Sequence, residues 1–285
     1  REVADRVARA LDAHEAIAVF GDFDVDGMTS TCLLTLALRR LGGDVHPYIP
    51  HRFGEGYGLS EAALTRVVEG CDPDLIVTVD NGIAAASEVE GLLARGIDVV
   101  VTDHHEPADL VPRGVPVTDP KLDADCPSRE LAGAGVALKL VQELGRRRGC
   151  PELWRDYIDI AMLGTLSDMM LLQGENRALV AEGLRKMRVS TRPGLTALAA
   201  TAGIELSQAT SDSLPFSIIP RLNAAGRMGS TDVAFDLLMT EDTREAQRLA
   251  TALEETNNER RAIEAKLSEE ALAKIEATWD GGRCV

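Results

Sequence analysis

The sequence predicts an α/β protein in which a parallel β-sheet with helices on both faces is followed by a helical region and one long connecting helix. Short runs of β-branched residues alternate with helical patterns in the first half, which is typical of a parallel sheet. These runs lie at residues 17–22, 45–49, 75–80 and 97–103. After a short strand near 115–118 the periodicity becomes helical. Finally, residues 242–278 contain neither Gly nor Pro, which predicts the long helix.

The predicted helices of the first half end at glycines. Gly42 and Gly43 end the first helix and Gly96 ends the third, as expected for residues that follow a last helical turn. Pro47 weakens the strand signal at 45–49. The three helices are residues 29–41, 60–69 and 84–95.

The long helix would be about 55 Å long if all of its roughly 37 residues were helical. Its apolar stripe is interrupted by the polar run ETNNERR. We therefore expect the middle of the helix to be exposed and the helix to link two bodies. The stripe consists of Ala246, Leu249 and Leu253 before the polar run, and of Ile263, Leu267, Ala271 and Ile275 after it.

We expect one domain over residues 1–240, with an α/β part over 1–150 and a helical part over 151–240. The connecting helix would occupy 241–279, and 280–285 would be the truncated start of a further domain. Because the chain begins with Arg1 in a polar helical pattern, we also expect residues upstream.

The composition excludes several classes of protein. With 45% hydrophobic and 27% charged residues, the 285-residue chain is globular rather than disordered. No apolar run approaches the ~20 residues that a membrane-spanning helix needs. The five cysteines form no CxxC pair, which argues against a structural zinc site and a disulfide scaffold and predicts a reducing, cytoplasmic location.

The net charge of −16 disfavours a nucleic-acid partner over most of the surface. One segment departs from this balance, because residues 177–192 carry five basic side chains and one acidic side chain, Glu182. This segment could bind a nucleic-acid strand or form a solvated helix face. The basic residues are Arg177, Arg185, Lys186, Arg188 and Arg192.

Acidic and imidazole side chains follow three of the predicted parallel strands. The carboxyl ends of parallel strands share one edge of a sheet, so these side chains should converge. Carboxylates so close together would repel one another unless a divalent cation bound among them. The sequence therefore predicts a metal centre. The residues are Asp22, Asp24 and Asp26 after the first strand, Asp80 after the third, and Asp103, His104 and His105 after the fourth.

Ligands of the Asp and His type without Cys favour Mn²⁺ or Mg²⁺ over zinc or copper, and imidazole favours Mn²⁺. In an extended GDFDVDG segment, Asp24 and Asp26 would face the same way, and Gly27 would let the chain turn into a helix that begins near Thr29. The alternative for this segment is an Asx-rich turn followed by a helix cap.

Adjacent side chains in an extended segment point apart, so we expect different roles for His104 and His105. One would bind metal and the other would meet substrate, while Asp103 and Asp22 would support the ligands. The alternative is a helix cap with one buried histidine. Asp168, at the end of IAMLGTLSD, is by its position alone a solvent-facing residue at a helix C-terminus.

The segments GDFDVDG, VTVDNG, DHH, GTLSD and RLNAAGR together resemble the successive motifs of the DHH phosphoesterase superfamily. Their order, with HRFGEGYGL and LAGAGVALKL, is similar to the core of the RecJ exonucleases over residues 17–278. The resemblance implies that His105 contacts the scissile phosphate and that Asn223 and Arg227 bind the phosphate at the 5′ side, whereas RLNAAGR alone indicates a Gly-hinged loop. It implies metal ligation by Asp24, Asp26, Asp80, His104 and Asp168.

The same resemblance makes residues 1–240 a DHH catalytic domain that hydrolyses single-stranded DNA from 5′ to 3′ and releases 5′-mononucleotides in DNA repair and recombination. It implies one or two Mn²⁺ or Mg²⁺ ions, and Phe20, where some relatives carry His, leaves the second ion open. It also implies a monomer without a membrane partner that acts with a single-strand-binding protein and a helicase. The alternatives are a phosphodiesterase for oligoribonucleotides or cyclic dinucleotides, and an inactive scaffold that binds DNA or replication proteins.

Overall fold

A parallel sheet forms the centre of the protein in a computed structural model, which describes residues 1–52, 54–56, 58–107, 109–229, 231–279 and 282. The strands of the described residues are β1 (Ala16–Phe20), β2 (Asp44–Tyr48), β3 (Leu75–Val79), β4 (Asp98–Thr102) and β5 (Val117–Thr118). Every pair is parallel, and the order across the sheet is β2-β1-β3-β4-β5. The predicted fold class is confirmed.

Helices cover both faces of this sheet and then form the second half of the chain. Single 3-10 turns occur at Pro120–Leu122, Leu153–Asp156, Leu206–Gln208 and Leu214–Phe216. The α-helices are α1 (Glu2–Ala13), α2 (Val25–Arg40), α3 (Glu61–Cys71), α4 (Ala86–Ala94), α5 (Gly133–Arg147), α6 (Ile158–Ser167), α7 (Gly174–Met187), α8 (Pro193–Ala202), α9 (Ile218–Met228), α10 (Thr231–Met239) and α11 (Thr243–Thr278).

Each face of the sheet has its own hydrophobic core, because successive side chains of a strand point to opposite faces. Val19 and Val77 pack with α1, α2, α5 and α6 on one face. Phe20 and Ile76 pack with α3 and α4 on the other. None of the helices in the described part of the chain has an apolar stretch that could cross a membrane.

Helix α2 begins about one turn earlier than predicted, at Val25. Asp24 caps it, since its Oδ1 accepts a hydrogen bond from the Gly27 N–H at 3.0 Å. Asp26 lies in the first helical turn, so the prediction that Asp24 and Asp26 share an extended segment and face the same way is wrong. Gly27 permits a close approach instead of a turn, because a Cβ there would lie 2.5 Å from the Asp22 backbone nitrogen.

Helix α11 spans the predicted residues, and its exposure begins in the middle and continues through the second half. Glu254, directly before the polar run, pairs with Arg221 of α9 at 3.1 Å. Most of the run is exposed, and so are residues 261–279. The predicted exposed middle is therefore confirmed except at Asn257, whereas the apolar stripe that follows it is exposed too. The predicted domain start at 280–285 lies outside the described residues except for Gly282. The buried residues of α11 are Ala246, Leu249, Ala250, Leu253 and Asn257.

Candidate metal centre

The carboxylate of Asp26 lies between the N-termini of two helices and is 1% exposed. Its Oδ2 accepts a hydrogen bond from the Gly133 N–H at 2.7 Å, and its Oδ1 accepts one from the Ala134 N–H at 2.9 Å. Both donors belong to the first turn of α5, and amides at a helix N-terminus favour a negative charge. Helix α5 therefore fixes the orientation of this carboxylate.

Asp80 follows β3 with a backbone φ of 61°, in the left-handed region that few non-glycine residues adopt. Its buried Oδ1 lies 3.0 Å from His104 Nε2 but accepts no hydrogen bond from any described residue. A Cβ on Gly133 would lie 2.6 Å from the Asp80 side chain, so glycine is required where α5 approaches. A buried carboxylate oxygen without a hydrogen-bond donor is suited to a cation.

His104 and His105 follow β4 and lie in different environments. His104 is buried, whereas His105 is exposed and its Nδ1 lies 2.7 Å from Asp103 Oδ1. The ring centroids are only 4.5 Å apart, so the prediction that the two side chains point apart is wrong. His104 Nε2 faces three carboxylate oxygens: Asp80 Oδ1 at 3.0 Å, Asp26 Oδ2 at 3.5 Å and Asp168 Oδ2 at 3.8 Å.

Asp103 contacts His105 and also anchors the loop around it. Its carboxylate accepts hydrogen bonds from the N–H groups of His104 at 2.7 Å and Ile83 at 2.9 Å. Asp22, which is partly buried, accepts one from the Phe23 N–H at 2.8 Å. Both aspartates thus lie beside the cluster, and their supporting roles stay predictions.

The cluster concentrates negative charge in a buried space. Burial raises the pKa values of Asp26 and Asp80, and neighbouring carboxylates raise them further. Burial lowers the pKa of His104 to about 4, while the hydrogen bond with Asp103 raises that of His105 to about 9. A divalent cation among the carboxylates would offset their repulsion.

Two overlapping groups of side chains each bring their ligand atoms within 4.8 Å of one another. Carboxylate oxygens with imidazole nitrogens fit Mn²⁺ or Mg²⁺. Asp24 belongs to neither group; it is exposed and caps α2. The groups are Asp80, His104 and His105, and Asp26, His104 and Asp168.

A polar cleft of about 420 Å³ lies beside this cluster. Asn223 and Arg227 share it with Asp24 and Asp168, so two of the three predicted phosphate-binding residues and two of the predicted metal ligands come together, while His105 does not line the cleft. RLNAAGR belongs to helix α9 and is not a Gly-hinged loop. The cleft is lined by Phe23, Asp24, Val25, Arg52, Ser167, Asp168, Asn223, Gly226 and Arg227.

The family model described as "DHH family, N-terminal domain" matches residues 16–165, which contain the whole sheet. The chain belongs to the DHH family. The RecJ single-stranded-DNA-specific exonuclease of Bacillus subtilis (strain 168) is 40% identical over 278 residues, which cover 97% of this chain and 34% of that protein. The chain thus spans about a third of the length of this curated relative.

Solved structures of DHH proteins support the assignment. A crystal structure of exonuclease RecJ bound to manganese matches with a TM-score of 0.89 and 40% identity, over 96% of this chain and 69% of that one. RecJ from Thermus thermophilus in complex with Mn²⁺ matches with a TM-score of 0.83 and 38% identity, over 98% of this chain and 40% of that one.

Three parts of this DHH site were not predicted. Arg52 lines the cleft, and its guanidinium carbon lies 5.2 Å from the Phe23 ring centroid; HRFGEGYGL was the available signal. Asp119 follows β5 at the same sheet edge, is buried, and could have been found from its position after a predicted strand. The α5 amides that hold Asp26 come from 107 and 108 residues away and have no local signal.

The basic segment at 177–192 is largely occupied by contacts within the protein. Arg185 pairs with Glu182, and Arg188 donates to a backbone carbonyl at 2.9 Å. Arg192 pairs with the buried Asp159 at 3.0 Å. These contacts favour a structural helix face over a strand-binding surface in this DHH protein.

The substitution Gly226→Ala is expected to distort the cleft. A Cβ at this position would lie 2.4 Å from the Phe23 carbonyl oxygen, so α9 and the loop after β1 would have to separate. We expect a loss of about 1–3 kcal/mol in the free energy of unfolding, measured by thermal or denaturant unfolding.

The matched control is Gly91→Ala, since Gly91 is helical and nothing lies within 4 Å of its added Cβ. This change should leave the free energy of unfolding unchanged or raise it slightly. Equal effects of the two substitutions would contradict the role of Gly226 in close packing.

Proposed function

We propose that this chain is the catalytic core of a metal-dependent exonuclease that degrades single-stranded DNA from 5′ to 3′ and releases 5′-mononucleotides, in DNA repair and recombination. The observation that supports the proposal is the polar cleft, which Arg227 lines together with Asp168, a member of the Asp26, His104 and Asp168 cluster. Curated relatives of about 40% identity that are single-stranded-DNA-specific exonucleases support it.

Five side chains would hold the metal: Asp24, Asp26, Asp80, His104 and Asp168. One or two ions, Mn²⁺ or Mg²⁺, would activate water and neutralise charge on the phosphoryl oxygens. The RecJ structures that contain Mn²⁺ and Mg²⁺ support this choice. The α5 amides would oppose the rise in the pKa of Asp26 and orient its carboxylate toward the ion.

The remaining polar groups would bind DNA. The exposed imidazole of His105, held by Asp103, would contact the scissile phosphate. Asn223 and Arg227 would bind the phosphate at the 5′ end, with the Arg227 guanidinium as a bidentate donor. Because Asp168 lines the same cleft, a 5′ phosphate bound by Arg227 would lie beside the metal centre, as removal of nucleotides from the 5′ end requires.

We further propose that the protein acts as a monomer in the cytoplasm, with a single-strand-binding protein and a helicase as partners. The four described cysteines form no disulfide, which supports a reducing location. Residues 1–240 would form the catalytic DHH domain, and the helix at 241–279 would connect it to a second body.

Digestion of 5′-radiolabelled DNA with Mn²⁺ tests the proposal. Single strands should release labelled mononucleotide from the first time point, while blunt duplex of the same sequence should stay intact and EDTA should stop the reaction. Release of labelled oligonucleotides in place of labelled mononucleotide would contradict a 5′ to 3′ exonuclease. Cleavage of only short oligoribonucleotides or cyclic dinucleotides would favour the small-substrate phosphodiesterase, and metal binding without cleavage would favour the scaffold.

A further inference from the structure

The carboxyl ends of the five strands form a row along one side of the sheet, and basic side chains lie at both ends of this row. Arg52 follows β2, at one edge of the sheet, and lines the polar cleft. The metal cluster follows β1, β3 and β4 in the centre, and Lys121 follows β5 at the opposite edge. Because neighbouring strands lie about 4.8 Å apart, a strand of DNA laid across these ends would meet a cation on each side of the cluster.

Lys121 is fixed next to the DHH segment. Its N–H donates to Asp119 Oδ1 at 2.7 Å, and its Nζ lies 3.4 Å from Oε1 of Glu106, the residue that follows His105. Arg129 adds a second positive charge next to Lys121. Its Nη1 donates to the Lys121 carbonyl at 3.1 Å, and its Nη2 lies 3.7 Å from Glu106 Oε2. Two basic side chains therefore share one carboxylate beside His105.

Glu106 is a replaceable partner for these cations. Its side chain is 71% exposed, whereas that of Lys121 is only 19% exposed. An ion pair with an exposed member contributes little free energy, so a DNA phosphate could replace the carboxylate at small cost.

We propose that Lys121, with Arg129, binds the DNA phosphate on the 3′ side of the scissile bond, and that this phosphate displaces Glu106. The inference rests on the proposed exonuclease function. It gives the bound strand a direction: the 5′ phosphate lies at Arg227, the scissile phosphate at His105, and the next phosphate at Lys121. The opposite direction would place the 5′ end at Lys121.

The test combines a protein variant with a strand that lacks one charge. The strand is a 5′-phosphorylated, 3′-fluorescein-labelled oligothymidylate whose second internucleotide phosphate is replaced by a neutral methylphosphonate. Binding is measured by fluorescence anisotropy with Ca²⁺ in place of Mn²⁺, for the wild-type chain and for Lys121→Met. We expect the methylphosphonate to weaken wild-type binding about five- to tenfold and to leave binding by Lys121→Met nearly unchanged.

Two further variants separate this contact from general electrostatics. Glu106→Gln should tighten binding of the charged strand about threefold and have little effect on the methylphosphonate strand. Lys186→Met is the matched control, because Lys186 lies with Arg39 beside the C-terminal end of α2, away from the cluster at its N-terminus. It should lower binding of both strands equally.

The inference would be overturned if the methylphosphonate weakened DNA binding by Lys121→Met as strongly as it weakens binding by the wild-type chain. It would also be overturned if the methylphosphonate changed the affinities of Lys121→Met and Lys186→Met equally. Cleavage of the charged strand with Mn²⁺ is measured separately. If the coupling is present and the wild-type chain does not cleave, the phosphate contact is supported and the exonuclease proposal is contradicted.

Discussion

Replacing Asp80 with asparagine is expected to lower cleavage of single-stranded DNA by about a thousandfold while the fold is retained. Asparagine has the same size and tolerates the left-handed backbone found at this position, but it lacks the charge that would bind a cation. Because a buried carboxylate in a repulsive cluster is removed, the metal-free variant should unfold at a higher temperature than the metal-free wild type.

Thermal unfolding with EDTA and with Mn²⁺ measures both effects. The wild-type melting temperature should rise with Mn²⁺, and that of Asp80→Asn should respond much less. Asp72→Asn is the matched control, since Asp72 is also in the left-handed region, with φ of 42°, but is exposed at the end of α3. It should keep wild-type cleavage. Near wild-type turnover of Asp80→Asn at saturating Mn²⁺ would contradict the metal centre.

The substitutions His104→Gln and His105→Gln are expected to have different consequences. His104 Nε2 faces three carboxylate oxygens of the cluster, so its loss should weaken Mn²⁺ binding about 10- to 100-fold. His105 is exposed and bound to Asp103, so its loss should lower turnover about 100-fold or more with Mn²⁺ affinity nearly intact.

Calorimetric titration with Mn²⁺ and cleavage rates at saturating Mn²⁺ together distinguish the two histidines. His46→Gln, at a partly exposed position on β2, controls for the substitution itself. The same loss of Mn²⁺ affinity in both variants would show that His105 is a ligand too, which its position within 4.8 Å of Asp80 and His104 makes a clear alternative.

Much of the sheet could be predicted from the sequence because buried parallel strands are short apolar runs with clear ends. The convergence of Asp80 and His104 followed from the same rule, since the carboxyl ends of parallel strands meet at one edge. Element boundaries are harder to predict: an extended GDFDVDG segment puts Asp26 outside helix α2, whereas the structure has the alternative, a helix cap, at Asp24.

Contacts between distant segments could not be predicted. The α5 amides reach Asp26 only because Gly133 allows a close approach to Asp80, and neither fact has a pattern in the local sequence. The orientation of His105 likewise depends on Asp103, because a hydrogen bond with the Asp103 carboxylate keeps the His105 ring next to that of His104. Such details depend on tertiary packing and not on spacing along the chain.

Helix α11 is divided into a packed half and an exposed half, so a movement of the exposed half also moves the packed half. Its 36 residues form one continuous rod of about 54 Å, and roughly 27 Å of it extends beyond the body. The packed half is joined to α9 through Glu254 and Arg221, and α9 carries Asn223 and Arg227. A force on the exposed half of α11 would therefore act on α9, the helix that carries the proposed phosphate-binding side chains.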